Sequence, residues 1–151
     1  MQEIFAEDVG SGTPLVLVHG FLGSSDMWIP QIKFFKDNFR VIAPALPGFG
    51  NSSAIDSCNS IEGMAKAILN LLEKKEIKNF NLLGHSMGGM IVQEMTKLAG
   101  EKILKLICYG TGPIGNIPGR FETIDKSREK LKVNGLEDTA YRIAKTWFIE
   151  E

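Results

Sequence analysis

The segment Pro14-Leu15-Val16-Leu17-Val18 is the strongest constraint on the fold, because after Pro14 no position in it is polar. A strand of this kind has to be covered on both faces, which is the situation of a central parallel strand sandwiched between helices. Strand-like, mostly apolar runs recur at Phe39–Ala43, Phe80–Leu83 and Ile103–Tyr109. Between them lie stretches of helical periodicity joined by Gly- and Pro-rich turns, the sequence pattern of βαβ units, so the fold class is α/β. Trp28, Ile32 and Phe35 mark a first helix capped by Ser25 or Asp26, with Pro30 in its first turn and its end near Asn38. Trp28 and Phe34 are expected to face the core. A second helix starts from Asn59, with Glu62 as partner in a capping box, and carries Ile61, Met64, Ala65, Ile68, Leu71 and Leu72. A third opens at Met90 and is expected to stop at Gly100. Pro44 to Ser52 is too rich in breakers to be anything but a loop.

With 151 residues and 44% hydrophobic content the chain can bury one real core. Seventeen basic and eighteen acidic residues give a net charge of -1, so nothing points to nucleic acid or a charged membrane surface, and a small neutral partner fits better. No apolar run approaches the ~20 residues of a membrane span, and Met1-Gln2-Glu3 lacks the plan of a signal peptide, so a cytoplasmic location is expected. Cys58 and Cys108 have no spacing that supports a disulfide framework, a zinc site or any other metal centre. Cys108, inside an apolar run, is expected to be a small core residue.

The chemistry concentrates at Gly84-His85-Ser86-Met87-Gly88. A strand, a turn and a helix around Gly-x-Ser-x-Gly place the serine on a sharp turn at the carboxyl end of the sheet, where Gly84 and Gly88 keep its hydroxyl clear. Ser86 is the candidate nucleophile. The backbone N–H of Met87, opening a helix, faces any oxyanion formed beside it, and the N–H of Phe21 in His19-Gly20-Phe21-Leu22-Gly23 is a second donor from a neighbouring loop. The Phe21 side chain either contacts substrate or only packs. His19 and Gly20 are expected to hold the oxyanion loop, with direct proton transfer by His19 as the alternative. His85 is expected to be structural, because consecutive residues at a tight turn project in different directions. A nucleotide-binding reading of Gly20 to Ser24 fails for lack of both GxGxxG and the GK[ST] lysine.

Three motifs in order, His19-Gly20-Phe21-Leu22-Gly23, Pro47-Gly48-Phe49-Gly50-Asn51-Ser52 and Gly84-His85-Ser86-Met87-Gly88-Gly89, give a chain that resembles the α/β-hydrolase family from about Pro14 to Gly112. It looks nearest to the lid-bearing lactonases, esterases, cofactor-free haloperoxidases and C–C hydrolases. Ala45 departs from the acidic residue often found before the Leu-Pro-Gly turn. The resemblance implies a mostly parallel sheet flanked by helices, with residues 1–112 as the N-terminal part of the hydrolase core. Residues 113–151 would then begin a helical lid, with segments at Phe121 to Lys132 and Leu136 to Phe148. It implies a nucleophilic role for Ser86, oxyanion roles for Phe21 and Met87, and a small ester, lactone or related acyl substrate handled without cofactor. The family order is serine, acid, histidine, yet no histidine follows His85, and Asp125 and Asp138 lie in the lid segments. The chain is therefore expected to hold the first part of the fold and to be inactive or impaired by itself. The competing expectation is a non-catalytic or fragmentary α/β protein that binds a ligand or self-associates. Its physical basis is strand 103–109, an apolar edge with only Lys105 to discourage pairing into a dimer or aggregate.

Overall fold

The structure, a computed structural model, describes residues 3–114 and 123–146. The chain divides into two compact units, Met1–Pro113 and Ile114–Glu151. In the first, five strands form one sheet: β1 (Ala6–Val9), β2 (Pro14–Val18), β3 (Arg40–Pro44), β4 (Phe80–His85) and β5 (Ile103–Tyr109), in the order β1-β3-β2-β4-β5. β1 runs antiparallel to β3, and every other pairing is parallel. The all-apolar β2 lies at the centre, as two-sided burial demands.

Alternation along β2 sends its residues to two cores. Val16 and Val18 join Ile42 and Leu82 beneath α2 (Ile61–Lys74) and α3 (Met87–Ala99), packing on Met64, Ile68, Ile91, Val92 and Met95. Leu15 and Leu17 join Val41 and Ala43 on the other face, under Trp28 and Ile32 of the segment containing α1 (Ile29–Phe35). Helices therefore cover both faces of a mostly parallel sheet.

The sequence expectations locate these elements closely and differ at their ends. Ser24, not Ser25 or Asp26, caps the first helical segment, a 3₁₀ turn over Ser25–Trp28, by accepting from the Asp26 N–H. That turn runs into α1, where Pro30 falls in the first turn, and α1 ends at Phe35 rather than near Asn38. The α2 cap is Ser60, whose Oγ accepts from the Gly63 N–H at 3.0 Å, and not Asn59. α3 opens three residues before Met90, directly after Ser86. It stops at Ala99, whose φ of -149° breaks the helix, while Gly100 keeps an ordinary right-handed conformation. β1 has no counterpart in the sequence reading.

Two residues expected inside are outside. Phe34 is 74% exposed, because it lies two residues, about 200° round α1, from the buried Ile32, and it stacks edge-on against Phe35. Cys108 is exposed because β5 is an edge strand, paired with β4 alone among the described residues.

In the second unit, α4 (Ile124–Lys145) is two helical stretches joined at Gly135, whose φ of 81° interrupts the helix. Thr123 caps it by accepting from the Lys126 N–H. The outer ends of the segments expected at Phe121 to Lys132 and Leu136 to Phe148 lie outside the described residues.

Candidate active site

The sheet order fixes where a site can form. From β2 the chain crosses to β3 on one side, then returns past β2 to β4 on the other, so the crevice at the carboxyl ends of β2 and β4 is the topological switch point. His19-Gly20-Phe21 leaves β2 there, and His85-Ser86-Met87 leaves β4.

Ser86 sits between β4 and α3 with φ 55° and ψ -120°, a conformation that costs a non-glycine residue of order 1–3 kcal/mol and persists only where the surroundings impose it. Those surroundings are close. A Cβ on Gly88 would lie 2.2 Å from the Val18 carbonyl oxygen and 2.5 Å from that of His19, so α3 starts in direct contact with the end of β2. A Cβ on Gly84 would lie 2.3 Å from the Gly88 carbonyl oxygen, so strand and helix meet without side chains between them. The Gly20 backbone lies against Ser86 as well, since a Cβ there would be 3.0 Å from Ser86 Cβ and 3.5 Å from its Oγ. The structure thus brings together Gly20, Gly84, Ser86 and Gly88, with Phe21 and Met87 as chain neighbours of Gly20 and Ser86.

The loop after β2 is folded tightly. The Gly23 N–H donates to the Gly20 carbonyl at 3.1 Å, and Leu22 adopts a φ of 61°. His19 is fully buried beneath it. Its Nδ1 donates to the Gly20 carbonyl at 2.8 Å, and its Nε2 accepts from the Leu46 N–H at 3.0 Å. Leu46 can only donate, so the neutral tautomer with the proton on Nδ1 is fixed. Burial holds this imidazole below its ordinary pKa, opposed by the hydrogen bond to Gly20. The Phe49 ring meets His19 edge-on at 5.5 Å and Phe21 at 6.3 Å, while Phe21 itself is 46% exposed. His85 packs its ring on Tyr109 of β5 at 5.4 Å. Its Nδ1 is buried without a hydrogen-bond partner, and burial lowers its pKa also.

The end of β5 and the segment after it touch Ser86 directly, and no motif in the sequence marks these contacts. The Ser86 N–H donates to the Tyr109 carbonyl at 3.0 Å, and Thr111 Oγ1 donates to the Ser86 carbonyl at 2.6 Å. Phe49 and Leu46 had a signal of a kind, since both belong to the Pro47-Gly48-Phe49 turn region. Among the described residues, no three His, Cys, Asp or Glu side chains cluster to hold a metal ion.

The family model of the α/β hydrolase fold matches residues 13–145. The chain belongs to the α/β hydrolase fold family. Within it, the chain is 34% identical over 128 residues to the (E)-2-((N-methylformamido)methylene)succinate hydrolase of Acinetobacter baylyi, covering 85% of this chain and 48% of that protein. Esterase YbfF of Escherichia coli is 29% identical over 109 residues, 72% of this chain and 42% of the esterase. Among solved structures, a thermophilic esterase from Thermogutta terrifontis superposes with a TM-score of 0.82 at 31% identity, over 92% of this chain and 52% of that one. The chain spans about half the length of these α/β hydrolases or less. Among the described residues, no helix is long and apolar enough to cross a membrane.

Proposed function

We propose that this chain carries the nucleophile and oxyanion side of a serine hydrolase site acting on a small, neutral ester, lactone or related acyl substrate. The observation that carries the reading is Ser86 at φ 55° on a strand-turn-helix, with the Gly20 loop against its hydroxyl. In the reaction, Ser86 Oγ attacks the acyl carbon, its proton passes to a base, and the carbonyl oxygen becomes an oxyanion. The Phe21 and Met87 N–H groups are the donors for that charge, the second reinforced by the N-terminus of α3. The exposed Phe21 ring and its partner Phe49 give the site an apolar rim suited to an uncharged acyl group. The esterases among the relatives support the same reaction class.

Neither histidine of the sequence serves Ser86 as base. Both His19 nitrogens are engaged, and His85 precedes Ser86 on β4 and packs on Tyr109. The 151-residue chain by itself should therefore be slow, since loss of the base removes several orders of magnitude of rate. Release of p-nitrophenol from p-nitrophenyl acetate tests both parts. A slow release that disappears in Ser86→Ala supports the reading, and release unchanged in that variant sinks it. Fast Ser86-dependent turnover would keep the nucleophile and overturn the expectation of a slow chain.

A second reading concerns association. Leu104, Leu106, Ile107 and Tyr109 of β5 are 40–64% exposed on an edge strand carrying Lys105 as its one charge, and a second copy of this chain is the occupant such an edge would recruit. Light scattering on a size-exclusion column should show a dimer or larger species, converted to monomer by Ile107→Lys; a wild-type monomer at high concentration contradicts this.

A further inference from the structure

Ser86 is held in its left-handed conformation by more than the glycines around it. The last residue of β5 and the segment after it grip its peptide groups on both sides, with the Tyr109 carbonyl accepting from the Ser86 N–H and Thr111 Oγ1 donating to the Ser86 carbonyl. The Thr111 hydroxyl has one proton and two carbonyls in reach, Ser86 at 2.6 Å and Gly112 at 3.3 Å, so the shorter bond to Ser86 takes it. The Ser86 carbonyl also accepts from the Gly89 N–H at 2.9 Å, which closes the first turn of α3. Thr111 fills the space beside that turn, since a Cβ on Gly89 would meet its Cγ2, Cβ and Oγ1 at 2.4–2.6 Å. Gln93 anchors the segment from α3, with Nε2 3.0 Å from the Gly89 carbonyl and 3.5 Å from that of Gly112.

We propose that Thr111 is a positioning residue, whose hydroxyl clamps the Ser86 carbonyl and so keeps the Ser86 turn in its strained, reactive conformation. A strained residue relaxes unless its neighbours over-determine it, and here one side-chain hydrogen bond is made to the peptide unit that immediately follows the strained φ/ψ pair. The part of the proposal that concerns reactivity rests on Ser86 being the nucleophile; the part that concerns the clamp does not.

The test uses the 151-residue chain with Thr111→Val, which keeps the shape and removes the hydroxyl, and Thr111→Ser, which keeps the hydroxyl. Amide hydrogen exchange at Ser86 and Gly89 should accelerate about tenfold in T111V and stay within about twofold of wild type in T111S, while Ile68 in α2 is unchanged. Equal exchange in all three proteins, or acceleration at Ile68 to the same degree, overturns the clamp. If T111V does not fold, T111A against T111S isolates the same hydroxyl, since both lose the methyl group, and the same tenfold difference is expected. Modification of Ser86 by a fluorophosphonate provides the second reading, with a rate that falls about tenfold in T111V and returns in T111S. Accelerated exchange with unchanged modification would overturn the positioning role. No modification of Ser86 in the wild-type chain would instead count against the nucleophile, leaving the exchange result to decide the clamp.

Discussion

Both ring nitrogens of His19 are taken, one by the Gly20 carbonyl and one by the Leu46 N–H, so a side chain that could move protons instead ties the loop after β2 to the loop after β3. Replacing it by alanine leaves the buried Leu46 N–H unpaired and the Gly20 carbonyl with the Gly23 N–H as its remaining donor, beside a cavity. The cost should be about 2–4 kcal/mol, measured as a lowered urea midpoint at constant slope. The same residue makes stability depend on pH. Its folded pKa lies below the ordinary 6.5, so below that pH the unfolded chain binds the extra proton. Its contribution is complete above about 6.5 and is lost as pH falls toward the depressed value, with a slope of at most about 1.4 kcal/mol per unit. Urea midpoints should drop between pH 7.5 and pH 5, and by less in His19→Gln; an equal drop in both contradicts the assignment. The motif spacing made Gly20, Ser86 and Gly88 readable in advance. Thr111 was not readable, because its role depends on how the segment after β5 folds back over the start of α3, which no local pattern encodes.

At the scale of elements, the sequence announced the strands and helices that carry an apolar run or a helical period and missed the strand that carries neither. β2 and β5 were placed residue for residue, and α2 to within two residues of its cap. β1, Ala6-Glu7-Asp8-Val9, carries two carboxylates at its middle positions, so it has neither alternation nor an apolar run to reveal it. Its charge is part of how it is held. Asp8 accepts from both Nε and Nη2 of Arg40 at 2.8 Å, and from Lys75 just beyond α2 at 2.9 Å, and these partners bring its carboxyl down to about 2. Asp8→Asn should cost about 1 kcal/mol at neutral pH, a value reduced by the partial exposure of the cluster. The wild-type contribution is present above 3.8 and fades as pH falls toward about 2. The glycines divide the same way. Gly88→Ala forces a methyl into the Val18 carbonyl and should destabilise by about 1–3 kcal/mol or more, whereas Gly100→Ala meets nothing within 4 Å at a φ of -58° and should stabilise by about 0.4–1 kcal/mol. Thermal denaturation that ranks the two variants the other way would contradict the close contact between α3 and β2.

For the whole molecule, fold class was legible because βαβ alternation leaves few alternatives, while strand order was not, since the same runs are compatible with several crossings. The observed order is what turns two distant motifs into one crevice, with β2 and β4 adjacent and their loops in contact through Gly20, Ser86 and Gly88. The central claim of the proposed function is that this crevice makes Ser86, among the described residues, the hydroxyl placed for acyl transfer. Acetylation by p-nitrophenyl acetate, mapped by peptide mass spectrometry under single-turnover conditions, tests it most directly. The acetyl group should accumulate on Ser86, because the proposed oxyanion donors would favour its formation and neither histidine is placed to remove it, and it should be absent from Ser86→Ala. Acetyl groups scattered over exposed serines and lysines, with Ser86 no more modified than they are, would contradict the account.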